Sequence, residues 1–398
     1  MTPQSSMAPY IPFLNNPDAA PVLRDFYSDA TCVRITLDRA PKLIPLLTKP
    51  PPLWIDTSFE GFHHPPNDRN PDWKTFIVSF TGNANFDTAA FLAKPDKKSV
   101  QLFVTELLDA CLKHKPQRIT IPQFPADKEN TKAKINRALA EAACRWRAQA
   151  TFSGSLIFPL LITHKTLIES AVERNKRLDH VKRCMDKVAI DGVWFVDCSL
   201  SDQTGIQNLE KERFPDIIKV AEELRTLLGK GRTICAGPYW GLNLLLWARG
   251  IIDSPAIGLG GNYQYHIHGF RHIHPSDVRV ALPPLRRWAV RSLELEKWLK
   301  QSVTTLGPAN PATRDFSEIL RNFTILADRK QARRQVAQFY KKWFDLISAN
   351  PAMGLALALF QDLSSAYVLG KTLSDLPKDE KTGRRPERVA QQLMLNCL

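Results

Sequence analysis

From Arg118 onward, short apolar runs recur at a nearly constant interval, and that interval constrains the fold more than any other feature. The runs begin at Arg118 (RITIPQF), Ser155 (SLIFPLLI), Gly192 (GVWFVDC), Arg232 (RTICAG) and Pro255 (PAIGLG), spaced by 37, 37, 40 and 23 residues. Each interval holds one segment with helical periodicity. Strand, helix, strand at such spacing gives parallel, right-handed βαβ units. Upstream, Cys32–Leu37 and Leu53–Thr57 read as two further buried strands, and Asp277–Leu282 is a candidate last strand. A count of seven or eight points to an α/β protein with a (β/α)8-type barrel, followed by a smaller helical C-terminal domain. A doubly wound open sheet is the alternative.

Local punctuation supports the helices between these strands. Ser99–His114 carries Val100, Phe103, Val104, Leu107, Leu108 and Cys111 on one face, with Ser99 placed to cap it. Thr166–Glu169 has the form of a capping box, Pro215 stands near a helix start, and Gly229 and Gly250 stand where helices stop. Residues 1–30 are rich in Pro and Asn and read as irregular, although Tyr10–Leu14 can pair as a short edge strand. A long polar connection follows from Ser58 to Lys98, with a strand-like run at Thr75–Phe80. Connections of that length usually serve as lids or binding loops. The expected divisions are an irregular segment 1–30, a barrel over 31–282, a basic helical domain over 283–377 and a charged tail over 378–398. Helices are expected at Pro284–Lys300, Arg314–Ile325, Ala327–Ala349 and Met353–Leu373, with a hinge at Gly307–Thr313.

Charge is the unusual part of the composition. The chain of 398 residues carries 54 Lys+Arg against 40 Asp+Glu, a formal net charge of +14. Of that, +8 falls between Ala281 and Leu398, where 19 basic residues face 11 acidic ones. Such a balance favours polyanionic partners, nucleic acid or nucleotide phosphates; the alternative is a merely basic soluble enzyme. Seven scattered cysteines without a C-x2-C pair fit reduced thiols and exclude a Cys-rich structural zinc site. The first residues lack a basic region followed by an apolar run, and no apolar stretch approaches the roughly 18 residues of a membrane span. A cytoplasmic protein, off the membrane, is expected, with protein partners left open.

In a β/α barrel the chemistry stands at the carboxyl ends of the strands. The strand-end candidates are Asp56 with Glu60, His63 and His64, then Gln123, then Thr163, His164 and Lys165, then Asp197 and Ser199, then Tyr239, Trp240 and Asn243. Asp56 and Asp197 weigh most, because each carboxylate closes an otherwise apolar strand, where desolvation suits it to acid/base or nucleophilic work. The bland reading is that a strand-end Asp caps a helix or pairs with a cation. After the last of these strands, Gly258, Gly260, Gly261 and Asn262 form a glycine-rich loop at the position of a barrel phosphate site, with Tyr239, Trp240, Tyr263 and Tyr265 near enough in sequence to stack on a base or to be core.

Two other features carry expectations. His266, His268, His272 and His274 form two H-x-H pairs whose alternation puts both rings of each pair on one face, a spacing that can hold a divalent metal if a carboxylate completes the shell. No other cofactor is indicated. Arg286, Arg287, Lys330, Arg333, Arg334, Lys341 and Lys342 make the C-terminal helices basic, as for a grip on a nucleic-acid backbone, although such faces are usually just solvated.

The layout of Asp191–Gly261 resembles the late barrel of the tRNA-guanine transglycosylase superfamily, which includes bacterial relatives that act on DNA. It has a strand after a Gly (DGVWFVDC), a helix, a strand with a glycine turn (RTICAGPYWG), a helix ending Ala-Arg-Gly, and then Asp253-Ser254. The resemblance implies a nucleophilic aspartate, best matched by Asp253, and a base-binding aspartate, best matched by Asp56. The Cys-x-Cys-x-x-Cys zinc motif of that family is absent here. The resulting reading is a barrel acting on nucleic acid or a nucleotide at a base or glycosidic bond. The alternatives are a non-catalytic nucleic-acid-binding subunit of a larger, for example defence-type, assembly and a divalent-metal-dependent barrel hydrolase.

Overall fold

The computed structural model describes residues 9–57, 97–125, 130–186, 189–197, 213–259, 278–349, 354–374, 376 and 386–397. Eight parallel strands close into a barrel in sequence order: β1 (Ile11–Phe13), β2 (Val33–Thr36), β3 (Leu53–Asp56), β4 (Arg118–Thr120), β5 (Ser155–Ile162), β6 (Gly192–Asp197), β7 (Thr233–Ala236) and β8 (Ser254–Gly258). Closure comes from β1, which pairs in parallel with both β2 and β8. The first barrel strand therefore falls inside the segment expected to be irregular, within the run Tyr10–Leu14 whose sequence allows a short edge strand, but it is paired on both sides. Tyr10 and Ile11 are fully buried and Phe13 nearly so, which ties this short run down.

Asp277–Leu282 does not supply the last strand. Instead β9 (Arg279–Leu282) turns through Pro283–Leu285 and pairs antiparallel with β10 (Arg287–Val290), outside the barrel. The expected helix over Pro284–Lys300 thus begins as a turn and the strand β10. Its helical part starts only after Ser292, whose hydroxyl accepts from Leu295 N–H.

The outer layer alternates with the strands. It comprises α1 (Ala20–Phe26), α2 (Ala40–Leu43), α3 (Lys97–Leu112), α4 (Asn130–Ala150), α5 (Ala171–Asp186), α6 (Arg213–Leu228) and α7 (Leu242–Ala248). On α3 the buried set is the six-residue face expected from periodicity. Ser170, not Thr166, caps α5: its hydroxyl accepts from Glu173 N–H at 3.2 Å, and Lys165–Leu167 forms a separate 3-10 turn.

After β8 come α8 (Leu293–Leu306), α9 (Pro311–Arg321), α10 (Arg329–Ser348), α11 (Leu355–Thr372) and α12 (Arg388–Met394). β9, β10, α8 and α9 form most of a second, smaller core that Ala332 of α10 also enters, whereas the rest of the buried face of α10, with α11 and α12, joins the barrel's core. Phe344 on α10 lies 4.4 Å, centroid to centroid, from Trp247 on α7 and 5.1 Å from Tyr10 beside β1. The Tyr27 hydroxyl just after α1 donates to Ala337 O at 2.8 Å. Helix α10 thus fills the place in the ring between α7 and α1 that the helix after β8 takes in a β/α barrel. The expected charged tail is not one over its described part: Val389, Ala390 and Leu393 on α12 are buried in the same core.

Candidate active site at the carboxyl mouth of the barrel

Strand register and alternation decide which side chains enter the barrel's interior. Paired residues of parallel strands point the same way, and residues two apart share a face. Phe13 pairs with Arg34, Arg34 with Trp54, and Trp54 with Arg118. On the other side Trp194 pairs with Cys235, Cys235 with Ser254, and Gly258 closes back onto Phe13. These rows face inward, because Trp54 on β3 and Trp194 on β6 meet across the interior at 5.9 Å with their rings at 88°. Phe13 stands edge-on to both, at 5.8 and 5.5 Å.

Arg34 lies within this aromatic cluster. Its guanidinium carbon sits 4.5 Å from the Phe13 ring centre and 4.7 Å from that of Trp194. Its Nη2 donates to the Asp56 carboxylate at the end of β3, and each side chain is only 1% exposed. Asp56 shares the inward row with Trp54, and its register partner is Thr36. A charged pair this deeply desolvated survives only with close geometry and several partners. The Trp54 indole N–H donates to Thr120 Oγ1 at 2.8 Å and that of Trp194 to Gly237 O at 2.8 Å, so the aromatic frame is itself tied to neighbouring strands. Arg34 was absent from the residues singled out by sequence. The signal that could have found it is the pairing of an Arg at an inward position of one buried strand with an Asp two residues after an inward Trp of the next.

Asp197 has different surroundings. It stands three residues after Trp194 and so belongs to the opposite row, with Val193 and Phe195, although it too is 1% exposed. Its backbone N–H donates to the Tyr239 hydroxyl. Gln123 is turned to the helix layer, where its Nε2 donates to Asn136 O on α4 at 2.8 Å, and the Asn136 amide clamps both the N–H and the C=O of Phe124. Thr36 Oγ1, Thr57 Oγ1 and Gln123 Oε1 are buried with no hydrogen-bond partner among the described residues. The rim beside β7 and β8 is built from small residues, Gly237, Ala256 and Gly258. Gly237 has φ +93°, and a Cβ there would meet Tyr239 N at 2.7 Å, so only glycine allows this turn.

Other expected site residues are placed elsewhere. Asp253 precedes β8, at the amino-terminal rim, opposite the mouth. It pairs with Arg225 of α6 and accepts from Ile234 N–H at 2.6 Å, a turn-stitching role that does not fit the nucleophile implied by the resemblance. Trp240 packs on Phe339, Tyr340 and Trp343 of α10 and donates to Arg286 O at 3.0 Å, while Asn243 joins Ala256 O to the Tyr340 hydroxyl. Both are core. Glu60, His63, His64, Ser199, Gly260, Gly261, Asn262, Tyr263, Tyr265 and the four histidines His266, His268, His272 and His274 lie outside the described residues. Among the described residues no group of three or more His, Cys, Asp or Glu is arranged to hold a metal.

The basic face of the C-terminal helices is largely engaged within the chain. Lys330 and Arg333 reach Asp18, Arg334 reaches Asp25, and Lys341 reaches Asp29 and Asp345. Arg286 forks onto Asp362. Arg287 is 2% exposed, and burial pulls its guanidinium down to about 10 against the opposing pull of Glu387. Of the seven expected contacts, Lys342 is the one that is exposed with no ion-pair partner among the described residues. Most of this face docks α10 onto the N-terminal segment, a use of charge that composition alone cannot separate from ligand binding.

No protein-family model matches this chain, and no curated protein matches it. Among solved structures it is similar to orotidine 5'-phosphate decarboxylase from Lactobacillus acidophilus, at 12% identity and a TM-score of 0.33, over 64% of this chain and 91% of that one. It is also similar to the carboxyl transferase domain of Rhizobium etli pyruvate carboxylase, solved with 3-bromopyruvate, at 9% identity and a TM-score of 0.37, over 93% of this chain and 60% of that one. Both are barrel enzymes, and likenesses this slight carry no argument about chemistry. No helix among the described residues is long and apolar enough to cross a membrane.

Proposed function

We propose that the chain is an enzyme acting on a nucleotide or nucleic acid at the carboxyl mouth of its barrel, at a base or glycosidic bond, with Asp56 as the working carboxylate. The observation that carries this reading is the Arg34–Asp56 pair, desolvated, inward-facing and at the end of a barrel strand. A carboxylate held there can accept a proton or hydrogen bond from a ring N–H, or face positive charge developing on a sugar carbon, with little water to screen it. Asp197, on the opposite row, is assigned a supporting place beside Tyr239, and Asp253 takes no part in the reaction. The polyanionic substrate rests on the net charge of +14, and the phosphate cradle remains assigned to the loop that begins at Gly258.

The test is a base-exchange and base-release assay: purified protein, duplex and single-stranded DNA and RNA, a labelled purine base, and nucleoside analysis by mass spectrometry. Asp56→Asn should lower turnover by about 10²–10⁴-fold with nucleic-acid affinity retained, and affinity should fall steeply with salt. Full turnover by Asp56→Asn, or binding that ignores salt, would overturn the reading.

A further inference from the structure

We infer that Arg34 is a positioning residue whose task is to fix the Asp56 carboxylate in the barrel mouth; this rests on the reading of Asp56 as the working carboxylate. Three constraints meet on its guanidinium. Phe13 and Trp194, from β1 and β6, stand 4.5 and 4.7 Å from its carbon and restrict where the plane can lie. Those two rings are in turn held by Trp54, which contacts both edge-on, and by the Trp194 indole N–H on Gly237 O. The backbone of Arg34 is held as well, its carbonyl accepting from Leu14 N–H at 2.9 Å just beyond β1. The third constraint is the hydrogen bond that its Nη2 donates to the Asp56 carboxylate.

The residue type matters for this task. Guanidinium is flat, always charged and weakly hydrated, so it can lie against aromatic rings and offer an N–H in a set direction. A Lys ammonium keeps the charge but has no plane for the rings to hold, and a buried carboxylate beside it would keep its ion pair while losing its orientation. Charge balance alone therefore predicts that Arg34→Lys is tolerated, and positioning predicts that it is not. Misplacement of a catalytic group by about 1 Å can cost roughly 10²-fold in rate.

Four proteins decide the matter: wild type, Arg34→Lys, Arg34→Ala and Asp56→Asn, each checked for native circular dichroism before use in the exchange assay. Arg34→Lys should lose about 10²-fold in kcat with KM for the nucleic acid changed less than about threefold. Arg34→Ala should be inactive, and millimolar guanidinium, far below denaturing concentrations, should raise both its melting temperature and its turnover. Methylammonium at the same concentration should do neither, and guanidinium should not stabilise wild type. Wild-type kcat in Arg34→Lys, or rescue by methylammonium equal to that by guanidinium, overturns the inference. Should Arg34→Ala fail to fold, Arg34→Lys decides alone. If Asp56→Asn keeps full turnover, the functional reading itself has failed; if it is inactive while Arg34→Lys is unaltered, only the role of Arg34 has failed.

Discussion

Gly370 offers a quantitative test of how the last helix is held. It lies on α11, and a Cβ placed there would meet Glu387 Cα at 2.5 Å and Glu387 N at 2.6 Å, at the start of α12. Both are backbone atoms, so no side-chain rotation relieves the contact, and α12 must shift by about 1 Å. Overpacking of this kind costs about 1–3 kcal/mol. Against global unfolding, part of that is offset, because Ala in a helix interior is better than Gly by about 1 kcal/mol. The expected fall in global stability on Gly370→Ala is therefore only about 0–2 kcal/mol. Local opening of α12 is different. Helix α11 is formed before and after the opening, so the propensity gain cancels and the whole strain acts, making the opening about 5- to 150-fold easier. Cys397 reports on it. The thiol is 2% exposed, and burial pushes it up to about 12, so it is inert while α12 is docked. Pulsed alkylation followed by peptide mass spectrometry should show Cys397 labelled faster by that factor in Gly370→Ala, with Cys111 and Cys235 unchanged. Equal labelling of Cys397 in variant and wild type would refute the reasoning.

Two further outcomes test the electrostatics. Arg334→Glu should lower stability by about 1 kcal/mol at low salt by placing a carboxylate beside Asp25, and the effect should shrink in 1 M salt; thermal melts at two ionic strengths read this, with Lys342→Glu as the neutral control. His180, set against Phe158, has its imidazole lowered to about 4 by burial, with Arg177 and Arg183 adding to the fall. The folded chain thus resists a proton that the unfolded chain takes up near 6.5, so stability is unaffected above that pH and declines as pH falls from 6.5 toward 4, by up to about 1.4 kcal/mol per pH unit. Urea titrations across that window should show a shallower decline in His180→Phe.

The recurrence of strand and helix was legible because each unit is a local pattern, and the buried faces of α3 and the run of β4 to β8 follow it. What was not legible depends on partners far away in sequence. Residues Tyr10–Leu14 read as a short edge strand at most; Ile11–Phe13 become a barrel strand paired on both sides because β2 and β8 leave a gap of one strand between them. Arg279–Leu282 alternates as any edge strand does, and nothing in it says whether it closes a barrel or pairs with the residues just after Arg286. The candidate site shows the same limit. Asp56 was visible as a carboxylate closing an apolar strand, but its partner Arg34 stands 22 positions away, and the parallel pairing of β2 with β3 brings them together. The lysines and arginines of α10 looked like a ligand-binding face because charge in a sequence carries no address; Asp18, Asp25 and Asp29 supply it.

The place of α10 in the helical ring has a consequence for the birth of the protein. Strand β1 and helix α1 lie near the start of the described chain, yet the helix that covers them begins at Arg329. A ribosome adding 5–20 residues per second takes roughly 15–65 s to get from one to the other. Throughout that time Tyr10 and Tyr27 have no α10 to pack against, a standing invitation to a chaperone and a point where the rate of translation can set the yield of folded protein.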